Sequence, residues 1–212
     1  MAVFDALAWL AAHPDLFGEA LGQHLLMCGV SLAVAAALGV PTAILVSRNR
    51  TLAAVVINAV NAVRTIPSLA ILAAALPIIG IGLWPSVVAL TVLALPPILL
   101  NTYVGLTGVD PDVLDAARGM GMTRRRILAR VQLPLAAPFM FTGIRTAAVQ
   151  VLAGATLASF IGGGGLGDFM TTGIAIMDVS RLLAGALPVA ALAIGAELLL
   201  GWTQRRLFGD AG

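Results

Sequence analysis

No Asp, Glu, Lys or Arg occurs between positions 20 and 47, nor between 65 and 109, and both stretches are predominantly apolar. Runs of that kind read as membrane spans, since about 20 apolar residues cross a hydrocarbon core of about 30 Å. The first span is predicted over residues 21–46, ending at Ser47-Arg48-Asn49-Arg50. A single helix over the second run would reach roughly 67 Å at about 1.5 Å per residue, so the chain must turn inside it. Gly80-Ile81-Gly82 with Pro85 supplies that turn and separates a second span, 52–79, from a third, 83–106. A fourth is predicted over 135–160 and a fifth over 182–202. The expectation is an all-α, polytopic membrane bundle of five helices.

Residues 108–134 form the one long polar stretch, patterned as two short helices. Asp110-Pro111 reads as an N-cap with Pro at the first helical position, followed by Asp112 and Asp115, with Arg118 near the end. Val113, Leu114, Ala117 and Met120 give this helix an apolar stripe, and Gly121 offers a left-handed cap. Thr123 can cap a second helix in which Ile127, Leu128 and Val131 face one way and the arginines another. Nine of the twelve arginines fall at 48, 50, 118, 124, 125, 126, 130, 205 and 206, and with five spans these lie on one face. Arginine-rich short loops stay cytoplasmic, which predicts the N-terminus outside and the C-terminus inside. The domain reading is a lead over 1–20, a transmembrane domain over 21–204 containing the 108–134 loop, and a cytoplasmic tail over 205–212.

Composition narrows the chemistry. The 212 residues are 60% hydrophobic and only 10% charged, with a mean hydropathy of +1.03, which excludes an ordinary soluble domain and makes the net charge of +2 a matter of topology rather than of nucleic-acid binding. Lysine is absent, so no Walker-type phosphate loop can be built. One cysteine, Cys28, and two histidines, His13 and His24, exclude a disulfide framework and argue against a zinc site. Asp5 and Asp15, with no Lys or Arg before the first span, predict no signal peptide. Gly162–Gly167 satisfies G-x-G-x-x-G, but no strand-then-helix unit surrounds it, and it reads as a tight turn.

Asp115-Ala116-Ala117, three residues, Gly121, nine residues, then Val131, Gln132, Leu133, Pro134 resembles the EAA loop of permease subunits of binding-protein-dependent ABC importers of the type I fold, with Asp for Glu and Val for Ile. The resemblance implies that Asp115, Ala116, Ala117, Gly121, Leu133 and Pro134 couple the chain to a cytoplasmic ATP-binding subunit, present in two copies. Further segments, Arg64 to Ala70, Ala116 to Met122, Leu133 to Ala136, Gly143 to Ala147 and Ala155 to Gly162, look like the osmoprotectant branch, whose permeases move glycine betaine, carnitine and choline. It implies a non-enzymatic subunit of the bacterial inner membrane that binds no cofactor itself, ATP and Mg²⁺ being held by the partner ATPase. Its other partners would be a second permease, identical or paralogous, an extracytoplasmic substrate-binding protein and membrane lipid.

Arg64 and Arg145 lie roughly 18 and 15 Å into their predicted spans by helical rise, at a cost of about 2.5–3.5 kcal/mol each unless paired or hydrated. Either they line or gate the pathway, or they serve structure, through an interhelical ion pair or carbonyls freed by Pro67. Glu197, the one acid within a predicted span, is the natural partner. Pro67, Pro96-Pro97 and Pro188 are expected to break or kink spans two, three and five. Trp9, Trp84 and Trp202 fall near interfaces, where aromatic belts are ordinary. The rival readings are an importer of an amino acid or other small polar solute, a stand-alone secondary carrier, which would need inverted repeats and buried acids, and an intramembrane hydrolase, which would need a paired nucleophile and base.

Overall fold

The computed structural model describes residues 2–209, and every regular element among them is helical. Met1 of the predicted lead and 210–212 of the predicted tail lie outside the described residues. In chain order the helices are α1 (Ala2–Ala12), α2 (Pro14–Val46), α3 (Arg50–Thr65), α4 (Ser68–Ile79), α5 (Leu83–Thr107), α6 (Pro111–Gly119), α7 (Arg124–Ile127), α8 (Leu133–Gly154), α9 (Gly167–Ala175) and α10 (Val179–Phe208). Four helical stretches are long and apolar enough to cross a membrane: α2, α5, the continuous run Arg124–Ile161 that contains α8, and α10.

The predicted second span is not one helix. It is α3 and α4, bent by 97° at Ile66-Pro67. Pro67 has no N–H to continue the α3 ladder and holds Ile66 extended at φ −78°, ψ 126°, so α3 ends and α4 starts afresh. The same residue type acts differently elsewhere, because Pro96-Pro97 and Pro188 lie inside the uninterrupted α5 and α10. The predicted fourth span is extended too. A π turn over Leu128–Gln132 joins α7 to α8, and a 3₁₀ segment, Ala155–Ile161, continues α8. Pro134 explains the π turn, since its ring would strike the carbonyl four residues back in a regular helix. At the N-terminus the spanning helix α2 begins at Pro14 rather than at residue 21, and α1 packs on α10.

The core lies where α5 packs between α2 and α8. Met27, Ala35, Leu90, Ala94, Ile98, Ala147 and Val151 fill it. Buried hydroxyls there bond to backbone, Ser31 donating to the Val87 carbonyl at 3.1 Å and Thr91 to the same oxygen at 2.8 Å. The α5–α8 contact depends on small residues, as is common in membrane bundles. A Cβ at Gly143 would sit 2.7 Å from the Pro97 oxygen, and one at Gly105 would sit 2.8 Å from Phe139 Cβ.

Candidate functional site: a helix pair exposed at the arginine-rich end

The α6–α7 pair is built as its caps predict, with one exception. Asp110 accepts from the Asp112 N–H at 2.9 Å, and Pro111 opens α6. Gly121 adopts φ +76°, its N–H donating to the Arg118 carbonyl and that of Met122 to the Ala117 carbonyl, the pair of hydrogen bonds that closes a helix through a left-handed residue. Thr123 occupies the N-cap position of α7, but its side chain caps nothing. Only its carbonyl is engaged, by the Ile127 N–H.

The apolar stripe of α6 divides between two faces. Ala117 is 2% exposed and Leu114 half-buried against the bundle, whereas Val113, Ala116 and Met120 are exposed, at spacings of three and four that form one face. Asp115 is exposed beside them and ion-paired with Arg118. Gly121 is exposed, and a Cβ there would meet nothing within 4 Å. Leu133 and Pro134 stand beyond the π turn, at the start of α8. Ile127 is buried and Leu128 and Val131 half-buried, while Arg124, Arg125, Arg126 and Arg130 are exposed.

The other candidate residues fall into two separate places. Arg145 of α8 is ion-paired and hydrogen-bonded to Glu197 of α10, and it also donates to Gln204 at 3.4 Å. Gln204 in turn donates to the Thr142 hydroxyl at 2.8 Å. Gly201 makes the arrangement fit, because its Cβ would lie 3.1 Å from the Arg145 guanidinium carbon. Sequence reasoning does not single out Gln204 or Gly201, although Gln204 follows Glu197 by two helical turns on one face. Arg64 and Pro67 are elsewhere. They line a cleft of about 710 Å³ with Ser68, Pro96, Gln150 and Thr156, and no carboxylate among the described residues pairs with Arg64.

The glycine turn is filled by its own chain. Gly162, Gly164 and Gly165 take φ values of +70°, +75° and +84°, and the Gly165 N–H bonds to Gln23 of α2 at 3.2 Å. A Cβ at Gly163 would be 2.2 Å from Ser86 Oγ, and one at Gly167 would be 2.3 Å from the Thr156 oxygen. Packing this close leaves no room for a dinucleotide. Across the same end, the Gly82 N–H bonds to the Ile161 carbonyl at 2.8 Å.

Four helical stretches able to cross a membrane, the bent α3–α4 pair and a capped amphipathic helix presented at one end define a multi-pass membrane subunit. The model of the family described as "binding-protein-dependent transport system inner membrane component" matches residues 31–209, and the chain belongs to that family. It is therefore a permease-type subunit of a multi-pass inner-membrane transporter. Among its relatives are the carnitine transport permease protein OpuCB of Listeria monocytogenes, 43% identical over 87% of this chain and 85% of that protein, and the glycine betaine/carnitine/choline transport system permease protein OpuCB of Bacillus subtilis, 40% identical over 88% and 86%. The osmoprotectant import permease protein OsmW of Salmonella typhimurium is 38% identical over 96% of this chain and 95% of that protein. The fold is that of the MetNI methionine ABC transporter in an inward-facing conformation, with a TM-score of 0.79, 23% identity, and coverage of 92% of this chain and 97% of that one.

Proposed function

We propose that this subunit carries quaternary-amine osmoprotectants, among them glycine betaine, carnitine and choline, inward across the membrane. ATP would be hydrolysed with Mg²⁺ on two copies of a separate cytoplasmic subunit. The pathway would lie between this chain and a second permease, identical or paralogous, and a binding protein would deliver cargo at the glycine-rich end. Arginine enrichment at the opposite end supports a cytoplasmic location for α6 and α7. Substrate class is supported by relatives of about 40% identity that are named for these three solutes.

The observation that carries the coupling step is the exposed Val113–Ala116–Met120 face of α6. Apolar side chains left uncovered on a capped helix, with small Ala116 at their centre, suit insertion into a groove on a partner. Asp115 and Arg118 would then flank the contact, while Ala117 and Leu114 hold α6 to the bundle. Arg145–Glu197 would tie α8 to α10, and Arg64 and Pro67, at the broken span, would border the pathway.

Uptake of radiolabelled solutes into proteoliposomes containing the permease, its ATPase and its binding protein tests both parts. Wild type should accumulate quaternary amines only with ATP and the binding protein. Ala116→Trp should leave the fold and insertion intact yet abolish uptake and release the ATPase, whereas survival of both would remove the docking role. A panel of inert quaternary amines would reject the substrate class and leave the coupling result standing.

A further inference from the structure

Beside α6, three arginines converge on one cleft. About 450 Å³ in volume, it lies between the C-terminal end of α2, contributing Ser47 and Arg48, and the helix pair with its π turn, contributing Leu114, Arg118, Arg124, Ile127, Leu128 and Gln132. No carboxylate lines the cleft, and among the described residues the one acid ion-paired with any of the three arginines is Asp115, which is committed to Arg118 and exposed. Arg48 and Arg124 have no acidic partner among the described residues. Like charges brought to one cavity repel, and an anion seated between them removes that repulsion. Guanidinium groups match tetrahedral oxyanions through paired N–H bonds, and Ser47 and Gln132 add neutral polar groups at the wall. Leu114, Ile127 and Leu128 supply the apolar side.

Depth identifies the source of the anion. The cleft lies where α2 ends and α8 begins, and Leu45 in the last turn of α2 and Leu135 in the first turn of α8 are 64% and 50% exposed. A phosphate at that level, with an apolar chain running along those leucines, is the arrangement of a phospholipid at the bilayer surface. We propose that this cleft binds a phosphate anion, supplied by the headgroup of an anionic phospholipid, which bridges Arg48, in the turn that follows α2, to Arg118 and Arg124 of the helix pair. The site involves no assumption about the cargo.

Native mass spectrometry of the full-length permease released from phosphatidylcholine nanodiscs, with and without phosphatidylglycerol, counts the anionic lipid retained. Wild type should hold phosphatidylglycerol, and Arg48→Gln and Arg124→Gln should each lower retention about fivefold while thermal unfolding in neutral discs stays unchanged. Arg205→Gln, at the same end but outside the cleft, should retain it. If either cleft variant destabilises the fold, Arg48→Lys, which keeps the charge without the paired donors, replaces it and should lose part of the retention. A second arm titrates inorganic phosphate onto the protein in neutral discs. Phosphate binding that depends on Arg48 and Arg124 without lipid retention would keep the anion site and assign it to a soluble source. Retention unchanged in both cleft variants, or lost equally in Arg205→Gln, would overturn it.

Discussion

A missing side chain at Gly201 decides how Arg145 lies. The guanidinium rests over the bare backbone of α10, within reach of both Glu197 and Gln204. A leucine at 201 must push it aside, so Gly201→Leu and Glu197→Gln should each lower the thermal unfolding temperature by breaking the same contact. Their effects should overlap, with a coupling of about 1 kcal/mol in a double-mutant cycle, and strictly additive losses would show that the two residues act apart. The Arg145–Glu197 pairing is legible in the sequence because one acid lies within a span. Gly201 is not, because spacing tells which residues share a face of α10 but not which neighbour lies across from it.

At the level of elements, the informative comparison is between prolines. Pro67 ends a helix, and Pro96, Pro97 and Pro188 do not. At α5 the surroundings differ from those at Pro67. Pro96 and Pro97 are buried in α5 between α2 and α8, where packing on both sides carries the helix through the lost bonds, whereas the α3–α4 junction is largely exposed. Sequence alone shows the proline and not the packing, which is why it predicts the same disturbance at all three places. Pro67→Ala should let α3 run further into α4. Spin labels at Leu52 and Ile79, about 26 Å apart across a right-angle bend and about 40 Å apart on a straight helix by the 1.5 Å rise, report the change, and an unchanged distance would mean that contacts other than Pro67 hold the bend. The caps of α6 are legible for the opposite reason, since Asp110, Pro111 and Gly121 act through local backbone chemistry that needs no neighbour.

For the molecule as a whole, the ends of the bundle are chemically distinct, one carrying most of the arginines and the other the turns at Gly80–Gly82 and Gly162–Gly165. Cysteines placed at Ile81 and Asp168 should react with a membrane-impermeant thiol reagent applied to intact cells, and one at Thr123 should not. The single native thiol, Cys28, is 7% exposed and should give little background. Reaction at Thr123 alone would invert the orientation.

The run from Arg124 to Ile161 begins at the exposed helix pair and finishes beside the glycine turn, 38 residues without an intervening loop, or roughly 57 Å by helical rise. Gly143, where the run packs too tightly on α5 to admit a Cβ, stands at the midpoint. A beam resting on a fulcrum at its centre moves its tips in opposite senses, and a tilt of about 10° on this length displaces each tip by about 5 Å. If the run tilts as one rod about that point, a displacement at the arginine-rich end is accompanied by an opposite displacement at the glycine-turn end, with no further element needed to relay it.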